Sequence, residues 1–228
     1  MILEAVLFDL HDTLVYLKNP ISSGEISEFL LKRGYEIYPQ SWDAASHYVG
    51  MIDYPKHGYN SWQAYLKQIL NRLDVVVNTE TVEELARLYQ QRNTYVLFPE
   101  AASVVIKAKQ LNLKTAIVTT IARFIFQSAI KPIQQYFDTI TTGYEAGCEK
   151  SNPKMHKQTL ERLGVPAKEA VMIGDELLVD IKIPKKLGMH TIFLDRENKR
   201  FKPSEADAKA STLIEAMAII ERWLKQRF

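Results

Sequence analysis

The residues of this chain that are best suited to chemistry stand directly beside apolar stretches. They are carboxylates, hydroxyls, one histidine and one lysine: Asp9, His11, Asp12, Thr13, Thr119, Thr120, Lys150, Asp175 and Asp180. Carboxylate oxygens suit a hard cation such as Mg²⁺, which takes one or two protein carboxylates together with waters and phosphate oxygens. Lysine and threonine can hold phosphate, and a carboxylate can be a covalent nucleophile. If these residues converge, their types favour phosphoryl chemistry beside a cation.

The elements that must position these residues alternate between strand and helix, which predicts an α/β fold with a parallel sheet. The predicted strands are residues 2–8, 114–118, 137–142, 170–173 and 190–194. The predicted helices are residues 101–111, 123–136 with a break near Pro132, 153–163, 179–187 and a C-terminal helix through Leu213 and Leu224. Because proline lacks an N–H, Pro184 is expected only in the first turn of its helix. Ligands bind at the carboxyl ends of strands in such sheets, so the candidate residues are expected to meet at one edge.

The stretch from residue 21 to residue 95 has helical periodicity and no convincing strand. One of its helices is predicted to begin at Thr81 as N-cap, because Glu84 stands three residues later at capping-box spacing. The expected organisation has two parts, a parallel-sheet core domain of residues 1–16 and 96–228 and an inserted helical domain of residues 17–95. Loop tips tolerate such insertions.

Composition narrows the class of protein. The chain has 228 residues, a net charge of +2 and one cysteine, Cys148, so a disulfide framework is excluded and a reducing, cytoplasmic setting is expected. Near-neutral charge gives no reason to expect nucleic acid, and no apolar run approaches the ~18 residues of a membrane span. The N-terminal stretch is not expected to be a signal peptide, since acidic residues interrupt it. The basic stretch 182–202 is interpreted as a solvated surface, and the oligomeric state, monomer or homodimer, stays open.

The four stretches around the candidate residues resemble the motifs of the haloacid dehalogenase (HAD) superfamily. VLFDLHDTL is similar to the first motif, an apolar strand followed by D-x-D-x-T, and TAIVTT ends in threonine as the second motif does. EKSNPKMH keeps the lysine and proline of the third motif, and VMIGDELLVDI contains the G-D-x-x-x-x-D of the fourth. Each motif alone is weak, but four in order at suitable spacing are strong. The resemblance implies a Rossmann-like core with a helical cap inserted after the first motif.

The resemblance also implies roles for the aspartates. Asp9 would attack phosphorus to form an aspartyl-phosphate that water then hydrolyses. Mg²⁺ would be held by Asp9, the backbone carbonyl of His11 and Asp175, with Asp180 nearby or bound through water. Three aspartates contribute −3, and Mg²⁺ with Lys150 contributes +3, which suits a site that accepts a phosphate dianion.

The implied phosphate ligands are hydroxyls and a lysine. Thr119 and Lys150 would hold the transferred phosphoryl group, and Thr120 stands beside them where the family commonly has asparagine. In the family's phosphatases the second aspartate of the first motif is the general acid/base, and this chain has His11 there. Imidazole can do general acid/base work, but it is bulkier, and a nearby Mg²⁺ disfavours its protonated form. Both a working acid/base and a slow or altered enzyme stay open, and the adjacent Asp12 is expected to point elsewhere.

Three functions follow as expectations. The main one is a Mg²⁺-dependent phosphatase that acts on a small phosphorylated metabolite. The first alternative is a 2-haloacid dehalogenase, in which Asp9 displaces halide at carbon without a leaving-group acid. The second alternative is a weakly catalytic or non-catalytic binding protein of the same fold, which His11 favours and the intact Asp9, Lys150 and Asp175 disfavour.

The helical insert is rich in aromatic residues between positions 35 and 65. The candidate substrate contacts there are the polar side chains of His47, Asp53, Lys56, His57, Tyr59 and Asn60. The other interpretation is that Trp42, Trp62 and Tyr65 simply form the core of the insert. Periodicity alone does not separate the two.

Overall fold

The computed structural model describes residues 2–225, so the outermost residues of the predicted core domain lie outside the described residues. The strands are β1 (Ala5–Phe8), β2 (Val15–Leu17), β3 (Tyr95–Leu97), β4 (Lys114–Thr119), β5 (Thr139–Thr142), β6 (Ala170–Gly174), β7 (His190–Leu194) and β8 (Ala208–Ala210). Six of them form one sheet in the order β5-β4-β1-β6-β7-β8, with parallel pairing throughout. The prediction of an α/β parallel sheet is confirmed. β8 is a short edge strand that the sequence did not predict.

Eleven α-helices accompany these strands within the described residues. They are α1 (Ser23–Leu31), α2 (Pro39–Tyr48), α3 (Tyr54–His57), α4 (Trp62–Arg72), α5 (Thr79–Arg92), α6 (Ala101–Gln110), α7 (Arg123–Ile130), α8 (Gly143–Ala146), α9 (Pro153–Leu163), α10 (Ile183–Lys186) and α11 (Leu213–Lys225). Two π-helical segments, Val49–Asp53 and Leu177–Lys182, run directly into α3 and α10. None of the helices in residues 2–225 is both long and apolar enough to span a bilayer.

The central strand β1 is buried on both faces, as expected for a strand inside a parallel sheet. Val6 and Phe8 face a core that includes side chains of α6, α7 and α11. Ala5 and Leu7 face the opposite core, which includes side chains of α9. The sheet is therefore the middle layer between two layers of helices, and its carboxyl edge stays open to hold polar residues.

Helices α1, α2, α4 and α5 have a hydrophobic cluster of their own. Trp42, Leu66, Ile69 and Leu85 lie at its centre and are buried. The antiparallel pair β2–β3 joins this helical region to the rest of the chain. Three-residue strands are too short for periodicity to predict. The division into a core of residues 1–16 and 96–228 and a cap of residues 17–95 stays a prediction.

One local prediction was wrong and a second was confirmed. Helix α5 begins at Thr79, and its N-cap is Asn78, whose side chain accepts a hydrogen bond from the Thr81 backbone N–H at 2.8 Å. Asparagine is the stronger N-cap residue, and Thr81 is buried within the first turn. Pro184 lies in the first turn of α10 (Ile183–Lys186), as predicted, and α10 continues directly from the π-helical segment Leu177–Lys182. The π-helical segment ends just before Pro184, and the change of hydrogen-bond spacing there accommodates a residue without an N–H.

Candidate active site

Three aspartates from two neighbouring strands meet at the carboxyl edge of the sheet. Asp9 directly follows β1, Asp175 directly follows β6, and Asp180 lies in the π-helical segment after β6. Carboxylate oxygens of the three lie within 4.8 Å of one another. The Asp9 backbone N–H donates to the carbonyl of Ile173 at 2.9 Å, which fixes where Asp9 leaves the sheet. The expected convergence of these residues at one edge is what the fold produces.

Lys150 bridges two of these carboxylates. Its Nζ contacts Oδ1 of Asp9 and lies 2.6 Å from Oδ1 of Asp180. The Lys150 side chain is only 5% exposed. Burial lowers the pKa of Lys150, but the charges of Asp180 and Asp9 outweigh burial and hold that pKa above its usual range. The lysine is therefore a cation at neutral pH.

The carboxylates of the three aspartates lie close together in a site that is largely shielded from water. Burial, and next the charges of Asp9 and Asp12, raise the pKa of Asp175 to about 6. Burial also raises the pKa of Asp180, although the Lys150 ammonium opposes the change. Three carboxylates with a single lysine leave uncompensated negative charge, and all the donor atoms are hard oxygens. This donor set fits a divalent cation of the Mg²⁺ class.

The position of Asp180 depends on Gly174. A Cβ at residue 174 would lie 2.3 Å from the Asp180 carboxylate, which leaves room only for glycine. The other oxygen of Asp180, Oδ2, accepts the Glu176 backbone N–H at 3.0 Å. The glycine and the aspartate of the fourth sequence motif are thus a matched pair.

The two candidate threonines end the strand on the other side of β1. Thr119 is the last residue of β4 and is buried, and its hydroxyl accepts the Ile121 N–H at 3.2 Å. Thr120 follows it and is half-buried at the edge of a cavity. β4 pairs with β1 through Ile117 and Phe8, so both threonines lie at the edge that carries Asp9.

His11 has a polar neighbour on each ring nitrogen. Nδ1 lies 2.8 Å from the Tyr95 hydroxyl, and Nε2 lies 3.3 Å from Asp12. The expectation that Asp12 points elsewhere was wrong, because Asp12 adopts a left-handed backbone with φ of 55° that turns its carboxylate toward the imidazole. Burial, followed by the charges of Asp12 and Asp9, raises the pKa of Tyr95, so its phenol stays protonated. Sequence reasoning missed Tyr95, and no sequence signal marks it.

Arg196 is a second residue that sequence reasoning missed. Its Nε donates to the Asp12 carbonyl at 2.9 Å, and its Nη2 donates to the Thr13 carbonyl at 2.6 Å. Its Nη1 lies 2.8 Å from a Glu100 carboxylate oxygen, and its guanidinium lies 3.3 Å from the Phe98 ring centroid. Arg196 belongs to the basic stretch 182–202, and the interpretation of that stretch as solvated surface is wrong at this position. The arginine holds the loop that carries His11.

The predicted contacts in the helical region fall in different places. His47 lines a cavity of about 330 Å³ between that region and the start of α7. Lys56 lines a second cleft, which faces the loop before α9. The remaining predicted contacts, Asp53, His57, Tyr59 and Asn60, line neither of these two spaces. The ring of Tyr59 instead packs against the rings of Tyr54 and Tyr65.

Comparison with known proteins identifies the family. Residues 3–188 match the family described as hydrolase, haloacid dehalogenase-like hydrolase. The chain belongs to this family. A glyceraldehyde 3-phosphate phosphatase from Pyrococcus furiosus is 25% identical over 234 residues, which cover 96% of this chain and 94% of the relative.

Solved structures place this haloacid dehalogenase-like hydrolase among similar folds. A HAD phosphatase from Thermococcus onnurineus aligns with a TM-score of 0.61 and 25% identity, covering 96% of this chain and 98% of the other. A 2-haloacid dehalogenase from Pseudomonas syringae pv. Tomato DC3000 aligns with a TM-score of 0.70 and 18% identity, covering 97% and 100%. The second likeness concerns the fold alone.

The sequence motifs that resemble the HAD superfamily come from separate segments of this haloacid dehalogenase-like hydrolase. Asp9 and Lys150 are 141 residues apart in the chain, yet they form a buried ion pair. His11 and Thr119 flank this pair on the loop after β1 and at the end of β4. The arrangement brings a buried carboxylate, fixed positive charge and a cluster of hard oxygen donors together in one place.

Proposed function

We propose that the protein is a Mg²⁺-dependent phosphomonoesterase that acts on a small phosphorylated metabolite, with Asp9 as the nucleophile. The observation that carries the proposal is the buried bridge from Lys150 to Asp9 and Asp180, with Asp175 at the same edge. A neutral substrate would gain no electrostatic stabilisation from the buried lysine and a bound cation, whereas a phosphate dianion would interact with both. The similarity to a glyceraldehyde 3-phosphate phosphatase supports phosphoryl chemistry.

The reaction has two displacements at phosphorus. An oxygen of Asp9 attacks phosphorus, the bond from phosphorus to the leaving oxygen breaks, and His11 gives that oxygen a proton. Water then attacks the phosphorus of the aspartyl-phosphate, His11 takes the water proton, and inorganic phosphate leaves while Asp9 is restored. We assign this transfer to Nε2 of His11, because Nδ1 is engaged by the Tyr95 hydroxyl at 2.8 Å.

Several of the remaining site groups would bind the metal ion. Asp9, Asp175 and the backbone carbonyl of His11 would hold Mg²⁺, with Asp180 nearby. When bound, the cation supplies stabilisation of the charge that develops on the phosphoryl oxygens.

The phosphoryl group itself meets a lysine and two hydroxyls. Lys150 presents the fixed positive charge, and Thr119 and Thr120 contribute hydroxyls from the neighbouring strand end. The helical region of residues 17–95 serves as the cap that covers the substrate, and His47 and Lys56 lie on the spaces beneath it.

The test is hydrolysis of p-nitrophenyl phosphate by wild type and by Asp9→Asn, with Mg²⁺ and with excess chelator. We expect metal-dependent release of phosphate by wild type and none by Asp9→Asn. Asp74→Asn is the matched control, because Asp74 is exposed, has a left-handed backbone that asparagine accepts, and lies in the helical region.

Equal rates for wild type and Asp9→Asn would overturn the covalent mechanism. Chloride release from 2-chloropropionate without metal would identify the dehalogenase instead. Phosphate binding without turnover would identify the non-catalytic binding protein.

A further inference from the structure

The cavity of about 330 Å³ is connected to the proposed catalytic residues at two points. Tyr95 lines the cavity, and its hydroxyl reaches Nδ1 of His11 at 2.8 Å. Thr120 also lines it and directly follows the buried Thr119 at the end of β4. A phosphate placed beside Asp9 would therefore have its organic portion directed toward this cavity.

The walls of the cavity are mainly aromatic and aliphatic. Trp42, Trp62, Tyr65 and Tyr89 form one side, and apolar residues at the start of α7 form another. Polar atoms on these rings are used within the wall, since Nε1 of Trp42 donates to the Tyr89 hydroxyl at 3.0 Å. The surface left for a ligand is mainly apolar, and the polar side chains that also line the cavity include Ser46, His47 and Asn93.

The phenols of this wall carry no charge at neutral pH. Burial raises the pKa of Tyr65 to about 12, and burial also raises the pKa of Tyr89 above its usual range. The Tyr65 hydroxyl lies close to Gly50, where an added Cβ would lie 2.8 Å from it, and it donates to the Ser46 carbonyl at 3.5 Å. The wall therefore offers neither an anion nor a free hydroxyl from Tyr65.

The described lining of the cavity carries little positive charge. Among the described residues that line it there is no lysine and no arginine. The carboxyl side chain of Asp43 and the imidazole of His47 also line it, both are exposed, and Asp43 accepts a hydrogen bond from Ser23. A carboxylate or a second phosphate held among the aromatic walls would lose water without gaining a lysine or arginine partner, which is costly.

We propose that the cavity receives an uncharged, apolar organic group, so that the preferred substrate is the phosphomonoester of a hydrophobic or aromatic alcohol. This inference rests on the proposed function and names its substrate class. The size agrees, because a dry cavity of ~150 Å³ holds benzene, and this one has about twice that volume. Substrates with a second anionic group, such as a sugar bisphosphate, fall outside this class.

The test uses three esters with similar leaving groups, 3-phenylpropyl, propyl and 3-carboxypropyl phosphate. Their alkoxides are chemically alike, so differences in kcat/KM report the cavity and not leaving-group reactivity. We expect kcat/KM for the phenylpropyl ester to exceed that for the propyl ester by at least ~10-fold, and the carboxypropyl ester to be the slowest. Trp62→Ala should reduce the ratio of phenylpropyl to propyl, whereas Tyr38→Ala, an exposed aromatic in the same region, should not.

Calorimetry separates this inference from the proposed function. The product alcohols, 3-phenylpropan-1-ol and 4-hydroxybutyrate, are titrated into wild-type protein in the absence of any turnover. Saturable binding of the first and not the second is expected even if no ester is hydrolysed, in which case only the proposed function fails. Equal kcat/KM for the phenylpropyl and propyl esters, a faster carboxypropyl ester, or no binding of the phenyl alcohol would overturn the inference.

Discussion

The ammonium of Lys150 lies 2.6 Å from the carboxylate of Asp180, and both side chains are buried. The same ammonium contacts Asp9, so one lysine balances two carboxylates that water does not solvate. Breaking a buried ion pair by removing one partner is far costlier than the net stability of the pair, because the remaining charge is left without solvent. The proposed active site is therefore also a structural element of the fold.

Lys150→Met is expected to lower the free energy of unfolding by about 3–5 kcal/mol, because it leaves Asp9 and Asp180 without their cation. Urea unfolding followed by circular dichroism measures the change. Lys154→Met is the control, since Lys154 is exposed on the next helix, and a change within about 0.5 kcal/mol is expected there. An unchanged unfolding midpoint for Lys150→Met would contradict the structural role of the bridge.

Gly174→Ala is expected to displace Asp180, because the added Cβ would lie 2.3 Å from its carboxylate. Overpacking of this kind costs about 1–3 kcal/mol of stability, and the displaced carboxylate should also weaken Mg²⁺ binding. Thermal unfolding and calorimetric titration with Mg²⁺ measure the two effects. Gly24→Ala serves as control, because its Cβ would meet nothing closer than 3.9 Å, and it should leave both unchanged.

Arg196→Lys is expected to loosen the loop that carries His11, because lysine cannot bond the Asp12 and Thr13 carbonyls and Glu100 together. A displacement near 1 Å can cost ~100-fold in rate, so kcat should fall much more than KM rises. Arg33→Lys is a matched control, since Arg33 also pairs with a glutamate, at 2.7 Å, and lies over a phenylalanine ring, at 3.7 Å, but in the helical region. Equal kcat values for Arg196→Lys and Arg33→Lys would contradict a role of Arg196 in positioning the His11 loop.

Tyr95→Phe is expected to lower kcat, because Nδ1 of His11 loses the hydroxyl at 2.8 Å that orients the ring. A net hydrogen bond is worth about 1 kcal/mol, which corresponds to a fall of roughly fivefold. Mg²⁺ affinity should be unchanged, since the hydroxyl touches no carboxylate of the cluster. Tyr16→Phe, in the strand paired with that of Tyr95, is the control. A fall in Mg²⁺ affinity in Tyr95→Phe would show that the hydroxyl acts on the metal site instead.

His156 should make the fold sensitive to acid. Burial, and next the Lys150 ammonium, lower the pKa of His156 to about 3, whereas a histidine in an unfolded chain titrates near ~6.5. The folded pKa is the lower one, so the neutral ring's contribution is complete above pH ~6.5 and is lost as the pH falls toward 3. In urea unfolding at several pH values, His156→Leu should lose less stability than wild type between pH 7 and pH 4. The exposed His57→Gln is the control, and parallel curves for wild type and His156→Leu would contradict the prediction.

Much of the fold and the surroundings of Asp9 could be predicted from the sequence, because these features depend on local patterns. Apolar strands of four to six residues predict a buried parallel sheet. Residues that follow adjacent parallel strands must then lie at the same carboxyl edge of that sheet. For that reason the sequence predicts correctly that Asp9 and Asp175 lie together. The same reasoning covers Gly174 and Asp180, since Gly174 ends β6 and Asp180 lies shortly after it.

What only the tertiary structure decided are contacts between segments with no local pattern. Tyr95 is 84 residues from His11, and Arg196 is 184 residues from Asp12. The pairing of strands β2 and β3 brings Tyr95 to the site. These strands have three residues each, which is too few for alternation of apolar and polar side chains to be recognised in the sequence. The direction of Asp12 depends on a left-handed backbone at one residue, which composition does not encode. The sequence alone therefore determined the sheet and the edge where its aspartates meet, whereas the partners of His11 and the mainly apolar cavity follow from how distant segments pack.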